Sequence, residues 1–222
     1  MIKAVIFDLD GTLLNRDLSL RLFVEDQYNR YANHLTRIPK TVFVASFIAL
    51  DKCGYVWKDS VYRQLIEEYQ LDELQWETML EDYIEHFPRF AISFPHTVEL
   101  LNWLKAQHIK IGMITNGFIR FQTANLDALQ IKEYFDEILI SEQEGTRKPD
   151  KEIFERALHR LNVKANEALY VGDHPINDVQ ASIDVGMKGI WKKASYYTRE
   201  VQADDTIEDL IQLKEIVTKY QG

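Results

Sequence analysis

The sequence predicts an α/β protein: a parallel sheet with helices on both faces, plus an inserted α-helical domain. Three observations carry this prediction. The opening run Ala4-Val5-Ile6-Phe7 is uniformly apolar, as a strand buried on both faces must be. Strand-like and helix-like segments alternate through the second half of the 222 residues, the pattern of a parallel sheet with crossover helices. Between Leu14 and Pro95 that alternation stops, and a stretch rich in Tyr, Phe, Trp, Glu and Leu with few Gly or Pro takes its place.

Taken in order, Lys3 to Asp8 is the first strand. The interrupting stretch reads as helices over Leu18 to Leu35, Val42 to Lys52, Ser60 to Tyr69 and Asp72 to Phe87. Its entry near Asn15-Arg16-Asp17 and its exit through Pro88 to Pro95 are candidate hinges. Its aromatic residues fall at helical spacing and are expected to face a core. Ile109 to Thr115 is a second strand, followed by a helix from Phe118 to Leu129, and Asp136 to Ile140 is a third. Ile153, Phe154, Ala157, Leu158 and Leu161 then mark one face of a helix. Ala168 to Gly172 is a fourth strand, Val179 to Val185 a short helix ended by Gly186, and Met187 to Trp191 a fifth strand. Ile207, Leu210, Ile211 and Val217 suggest a closing amphipathic helix. Residues 1–13 and 96–222 are therefore expected to form the sheet domain and 14–95 the helical insertion. No internal repeat or low-complexity tract interrupts either.

A hydrophobic content of 46% fills a sizeable core at this length. The net charge of −9 opposes non-specific attraction to nucleic acid or an anionic membrane, so neither is an expected partner. Cys53 is the single cysteine, which excludes an internal disulfide and suits a reducing compartment. Met1 leads directly into the first strand, and no apolar run approaches membrane-spanning length. A cytoplasmic protein, monomeric or homodimeric, is expected.

Sheets of this kind bind ligands beyond the carboxyl ends of their strands, and the polar residues collect there. The first strand ends in Asp8-Leu9-Asp10-Gly11-Thr12. Its two carboxylates share one side if the extended backbone persists, and they then require a cation or a shared proton. Asp and Gly are also ordinary turn formers, while a calcium loop is not completed by Asn15 and Asp17. The second strand ends in Thr115-Asn116-Gly117, a hydroxyl and backbone N–H groups suited to a phosphate oxygen, or equally a helix cap or hairpin signal. Lys148 precedes Pro149-Asp150 at the start of a helix. Gly172-Asp173-His174-Pro175-Ile176-Asn177-Asp178 ends the fourth strand. There Asp173 needs a partner or metal, Asp178 either caps a helix or serves a metal, and His174 reads as a loop histidine.

These four segments, in this order, resemble the four motifs of the haloacid dehalogenase superfamily of aspartate-nucleophile hydrolases, and the helical insertion resembles its small cap domain. The resemblance implies a Rossmann-like core and a Mg²⁺ cofactor. It makes Asp8 the nucleophile and Asp10 the acid and base, with Thr12 orienting Asp10. Thr115, Asn116 and Lys148 would bind the phosphoryl group. The metal would be held by the Asp8 and Asp173 carboxylates, the Asp10 backbone carbonyl, and a water positioned by Asp178. A second carboxylate in the first motif favours a phosphatase acting on a small phosphorylated metabolite. The alternatives are a phosphoglucomutase-like isomerase, a dehalogenase-type hydrolase, and a regulatory protein without turnover. Lys40, Lys52 and Lys58 in the insertion read as surface charge.

Overall fold

Ala4–Phe7 forms β1, every residue of it buried, because a strand covered on both faces has no position where a polar side chain reaches water. The computed structural model describes residues 1–194, 196, 197 and 201–221, which divide into two units, Met1–Asn15 with Ser93–Gly222, and Arg16–Ile92.

The unit Arg16–Ile92 consists of α1 (Arg16–Arg30), α2 (Lys40–Asp51), α3 (Lys58–Tyr69) and α4 (Trp76–His86), with short 3₁₀ turns. The aromatic residues fill its core as the helical spacing predicts. Phe23 meets Tyr83 edge-on at 5.3 Å and Phe47 meets Tyr62 at 5.4 Å, geometries favoured by the ring quadrupole. Two expected helices are shorter than their apolar pattern. Leu35, Leu71 and Leu74 are buried from turns that follow or precede the helices, so burial at those positions does not require helical backbone. Lys58 is not surface charge. It is 1% exposed and ion-paired with Asp51, whose other partner is Arg16.

The remaining elements build the sheet unit: α5 (Thr97–Ala106), β2 (Lys110–Thr115), α6 (Ile119–Ala128), β3 (Glu137–Ile140), α7 (Ser141–Glu144), α8 (Lys151–Leu161), β4 (Ala168–Gly172), a π-helical turn over Pro175–Gln180, α9 (Ala181–Asp184), β5 (Lys188–Lys192), β6 (Asp205–Ile207) and α10 (Leu213–Lys219). The six strands lie in the order β3-β2-β1-β4-β5-β6, and every pair is parallel. The face of α8 marked by Ile153, Phe154, Ala157, Leu158 and Leu161 packs on Ala4, Ile6, Ile114, Leu139 and Tyr170. Each fully buried Ile, Leu or Phe among these contributes about 1.5–3 kcal/mol.

Two expectations are corrected here, and one element is added to them. Ile207 belongs to β6, because Asp205-Thr206-Ile207 pairs along β5 and completes the sheet edge; the closing helix begins only at Leu213. The helix expected from Val179 begins at Pro175, where the fixed φ of proline suits a first helical turn. Leu100, Leu101 and Leu104 form a buried stripe on α5, an element the sequence reading did not single out. Among the described residues no helix is long and apolar enough to cross a membrane.

The chain runs from β1 outward through β2 and β3, then returns to the other side of β1 for β4. The strand order thus reverses between β1 and β4, the place beyond the strands' carboxyl ends where open α/β sheets bind ligands. Asp8 directly follows β1 and Asp173 directly follows β4.

Candidate active site

Asp8 extends the ladder of β1 by one bond, its N–H donating to the Val171 carbonyl at 2.9 Å. The backbone then turns: the N–H groups of Thr12, Leu13 and Leu14 all donate to the Leu9 carbonyl. The extended conformation that would aim Asp8 and Asp10 alike therefore ends at once, and the two carboxylates are held by different neighbours. Gly11 sits in this turn at φ +83°, and a Cβ there would come 2.5 Å from Asp173 Oδ2. Only glycine lets the loop and that carboxylate approach so closely.

Lys148 is the electrostatic centre of the cluster. Its Nζ donates to Asp8 Oδ1 at 2.7 Å, to Asp178 Oδ1 at 2.6 Å and to the Tyr170 hydroxyl at 2.9 Å. These account for all three hydrogens of the ammonium. Burial opposes its charge, but Asp178 and Asp8 outweigh that and raise its pKa well above the ordinary lysine value. It is a fixed cation. Burial pushes the Asp8 carboxyl well above the usual carboxylate range; Lys148 pulls it down, while Asp178, Asp173 and Asp10 add repulsion. Asp173 is raised to about 7 by burial and by Asp178. Carboxylate oxygens of Asp8, Asp173 and Asp178 all lie within 4.8 Å of one another. The three buried carboxylates have Lys148 as their hydrogen-bonded cation, with Lys192 also acting on Asp173, and such an all-oxygen donor set fits a hard divalent cation.

The remaining predicted residues fall in the same region, each with its own hydrogen-bond partners. Thr12 does not reach Asp10: its hydroxyl donates to Asp8 Oδ2 at 3.1 Å, because the turn directs it back onto β1. Asp10 instead accepts from Gln122 Nε2 at 2.7 Å, and the same nitrogen lies 2.7 Å from Thr115 Oγ1. The Asn116 side chain brackets the backbone of Lys148, so its side chain positions the lysine. Asp178 does not cap the following helix. It lies inside the π-helical turn and accepts from Lys148 and from the His174 N–H at 3.0 Å. Its close approach needs Gly172, where a Cβ would stand 2.3 Å from Asp178 Cβ. His174 Nδ1 accepts from the Ile176 and Asn177 N–H groups, each at 3.0 Å, and so caps that turn.

Several residues were missed at the sequence level. Tyr170 stacks its ring edge-on against Phe154 at 5.1 Å while its hydroxyl meets Lys148; it reads in sequence only as another strand residue. Trp191 Nε1 donates to the Asp173 carbonyl at 2.8 Å, and the Tyr196 hydroxyl donates to Asp173 Oδ2. Lys192, 3% exposed, donates to the Gly11 carbonyl at 3.1 Å with its ammonium over the Phe94 ring. Gln122 and Asn125 carried one usable signal: two amides three apart on an otherwise apolar helix face beside the Asn-Gly turn.

The family model of haloacid dehalogenase-like hydrolases matches residues 5–192. Over 231 residues the chain is 31% identical to a glyceraldehyde 3-phosphate phosphatase of Methanocaldococcus jannaschii, covering 98% of this chain and 97% of that one. It is 32% identical over 143 residues to a pyrimidine 5'-nucleotidase of Escherichia coli, 63% of each chain. Among solved structures, a HAD phosphatase from Thermococcus onnurineus superposes with a TM-score of 0.70 at 29% identity, covering 97% of this chain and 98% of that one.

Proposed function

The chain belongs to the haloacid dehalogenase-like hydrolase family, as a phosphatase-like member, and we propose that it is a Mg²⁺-dependent phosphatase acting on a small phosphorylated metabolite through an aspartyl-phosphate. One observation carries the reading. Two carboxylates at the end of β1 are held by different groups, Asp8 by Lys148 and Thr12, Asp10 by Gln122. A nucleophile and a separate proton donor need different environments of this kind.

In this reading Asp8 attacks phosphorus, the ester P–O bond breaks, and Asp10 gives its proton to the departing oxygen. Water then attacks the aspartyl-phosphate, Asp10 takes up its proton, and inorganic phosphate leaves with the Asp8 carboxylate restored. Lys148 and Thr12 hold Asp8 on line, while the Thr115 hydroxyl, the Asn116 backbone N–H and Lys148 stabilise charge on the transferring group. Asp8, Asp173 and Asp178, with the Asp10 carbonyl, are the residues that would hold Mg²⁺. When bound, the ion supplies charge neutralisation for the phosphoryl oxygens.

We assign substrate choice to the helical unit acting as a cap. The relatives' names span a triose phosphate and nucleotides, which supports small phosphate monoesters as the class. The exposed Cys53, without a second cysteine to bridge to, supports a reducing compartment such as the cytoplasm. The test is a phosphate-release screen with Mg²⁺ over triose phosphates, sugar phosphates and nucleoside monophosphates, run beside Asp8→Asn. Release by the wild type and none by the variant is the expected result. Equal release by both would overturn the reading.

A further inference from the structure

We propose that Gln122 is a positioning residue for the acid and base step, setting which oxygen of Asp10 faces the substrate and which way the Thr115 hydroxyl donates. The proposal rests on the phosphatase reading and adds a residue to it. Gln122 lies on α6, 2% exposed, with Nε2 at 2.7 Å from both Asp10 Oδ2 and Thr115 Oγ1. An amide nitrogen carries two hydrogens, and they are directed at these two near acceptors, with the Asn116 carbonyl farther off at 3.5 Å.

Turning the Gln122 amide alone would lose a bond, because Asn125 Nδ2, one helical turn later, donates to Gln122 Oε1 at 3.2 Å. That bond presents the nitrogen to Asp10. The space for the arrangement comes from Gly117, where a Cβ would stand 2.9 Å from Gln122 Cγ and 3.1 Å from Nε2.

Two consequences follow from where the hydrogens point. The amide hydrogen on Oδ2 fixes the rotation of the Asp10 carboxyl, and the proton to be transferred is assigned to Oδ1. Oδ1 gives it to the leaving oxygen as the P–O bond breaks, and recovers one from water as the new P–O bond forms. Thr115 Oγ1 spends a lone pair accepting from Gln122, so its own hydrogen is left to donate to a phosphoryl oxygen. One side chain thereby aligns the donor at the leaving group and the donor at the transferring group.

The leaving group distinguishes this role from simple packing. A nitrophenolate leaves without a proton, whereas an alkoxide does not. Gln122→Leu is expected to lower kcat on an alkyl phosphate about 10- to 100-fold, below the full effect of removing a general acid. On 4-nitrophenyl phosphate the first turnover should fall only by the smaller loss of Thr115 alignment, giving a burst of nitrophenol before a slow steady state, because only dephosphorylation then needs Asp10. KM should move less than threefold for both. If Gln122→Leu does not fold, Asn125→Ala unpins the amide without removing it and should give the same signature at smaller size. Equal losses on both substrates without a burst would overturn the proposal. Asp10→Ala is run alongside. If it too lacks the leaving-group dependence, the phosphatase reading fails; if it shows the dependence and the Gln122 and Asn125 variants do not, only the present inference fails.

Discussion

Asn116 and Lys148 are joined by a reciprocal pair of hydrogen bonds: Asn116 Nδ2 donates to the Lys148 carbonyl and the Lys148 N–H donates to Asn116 Oδ1, both at 2.9 Å. The residue after β2 therefore holds the backbone of the residue whose ammonium holds Asp8. Asn116→Ala should cost about 1–3 kcal/mol of stability by leaving these backbone groups unpaired. It should also lower turnover at least several-fold, because the lysine loses its backbone anchor. Thermal unfolding and phosphate release measured together check both. Lost stability with unchanged kcat would make Asn116 a structural residue only.

Asp8→Asn keeps the side-chain volume and removes the nucleophile. Lys148 retains Asp178 and Tyr170 as partners, so the fold should survive. The expected result is a native circular dichroism spectrum with no detectable turnover.

Stripping with a chelator should abolish activity, and Mg²⁺ should restore it. Added Mg²⁺ should also raise the melting temperature of the stripped protein, since an ion bound only by the folded state stabilises it by mass action. Ca²⁺ should inhibit, because its larger and looser shell misplaces Asp8. Full activity after verified stripping would refute the metal assignment.

Gly11→Ala should weaken metal binding more than it unfolds the protein. The left-handed backbone at φ +83° costs a non-glycine residue about 1–2 kcal/mol. The added Cβ would also stand 2.5 Å from Asp173 Oδ2, forcing that carboxylate to move. A Mg²⁺ titration of activity should shift to higher concentration, and an unchanged titration would show that Asp173 is not a ligand.

Asp51 gives a pH test in the helical unit. It is 1% exposed and accepts from Arg16 at 2.8 Å through both oxygens, with Lys58 as a further ion pair. Burial raises its pKa, but Arg16 and then Lys58 outweigh burial and hold it below the ordinary 3.8. A depressed carboxylate pKa stabilises the folded state fully above the unfolded value and loses that contribution as pH falls through the folded one. Asp51→Asn should therefore cost about 3–5 kcal/mol at neutral pH, the penalty of stranding two buried cations. The gap to wild type should hold down to about pH 5 and shrink below about pH 4. A gap that is constant through that range would contradict the ion-pair account.

The sheet was legible because its strands are short apolar runs and its main helix carries an unbroken apolar stripe from Ile153 to Leu161. β6 was not, since Asp205-Thr206-Ile207 is too short for a pattern and becomes a strand only by pairing with β5. Lys58 shows the same limit among charges. A lysine at a helix start looks solvated until Asp51, seven residues earlier, is folded against it.

By itself the sequence determined the α/β class, the helical interruption, the positions of Asp8, Asp10, Asp173 and Asp178 at or shortly after strand ends, and that of Lys148 before a helix, because periodicity, strand termination and helix starts are local properties of the chain. Only the tertiary structure decided who holds whom: Thr12 on Asp8, Gln122 on Asp10 and Thr115, Asn116 on Lys148, and Asp178 on the lysine and not on a helix end. Those pairings depend on the turn that closes on the Leu9 carbonyl and on glycines that admit close approach. A hydrogen bond is made or lost over less than an ångström, a distance that residue order along the chain does not specify.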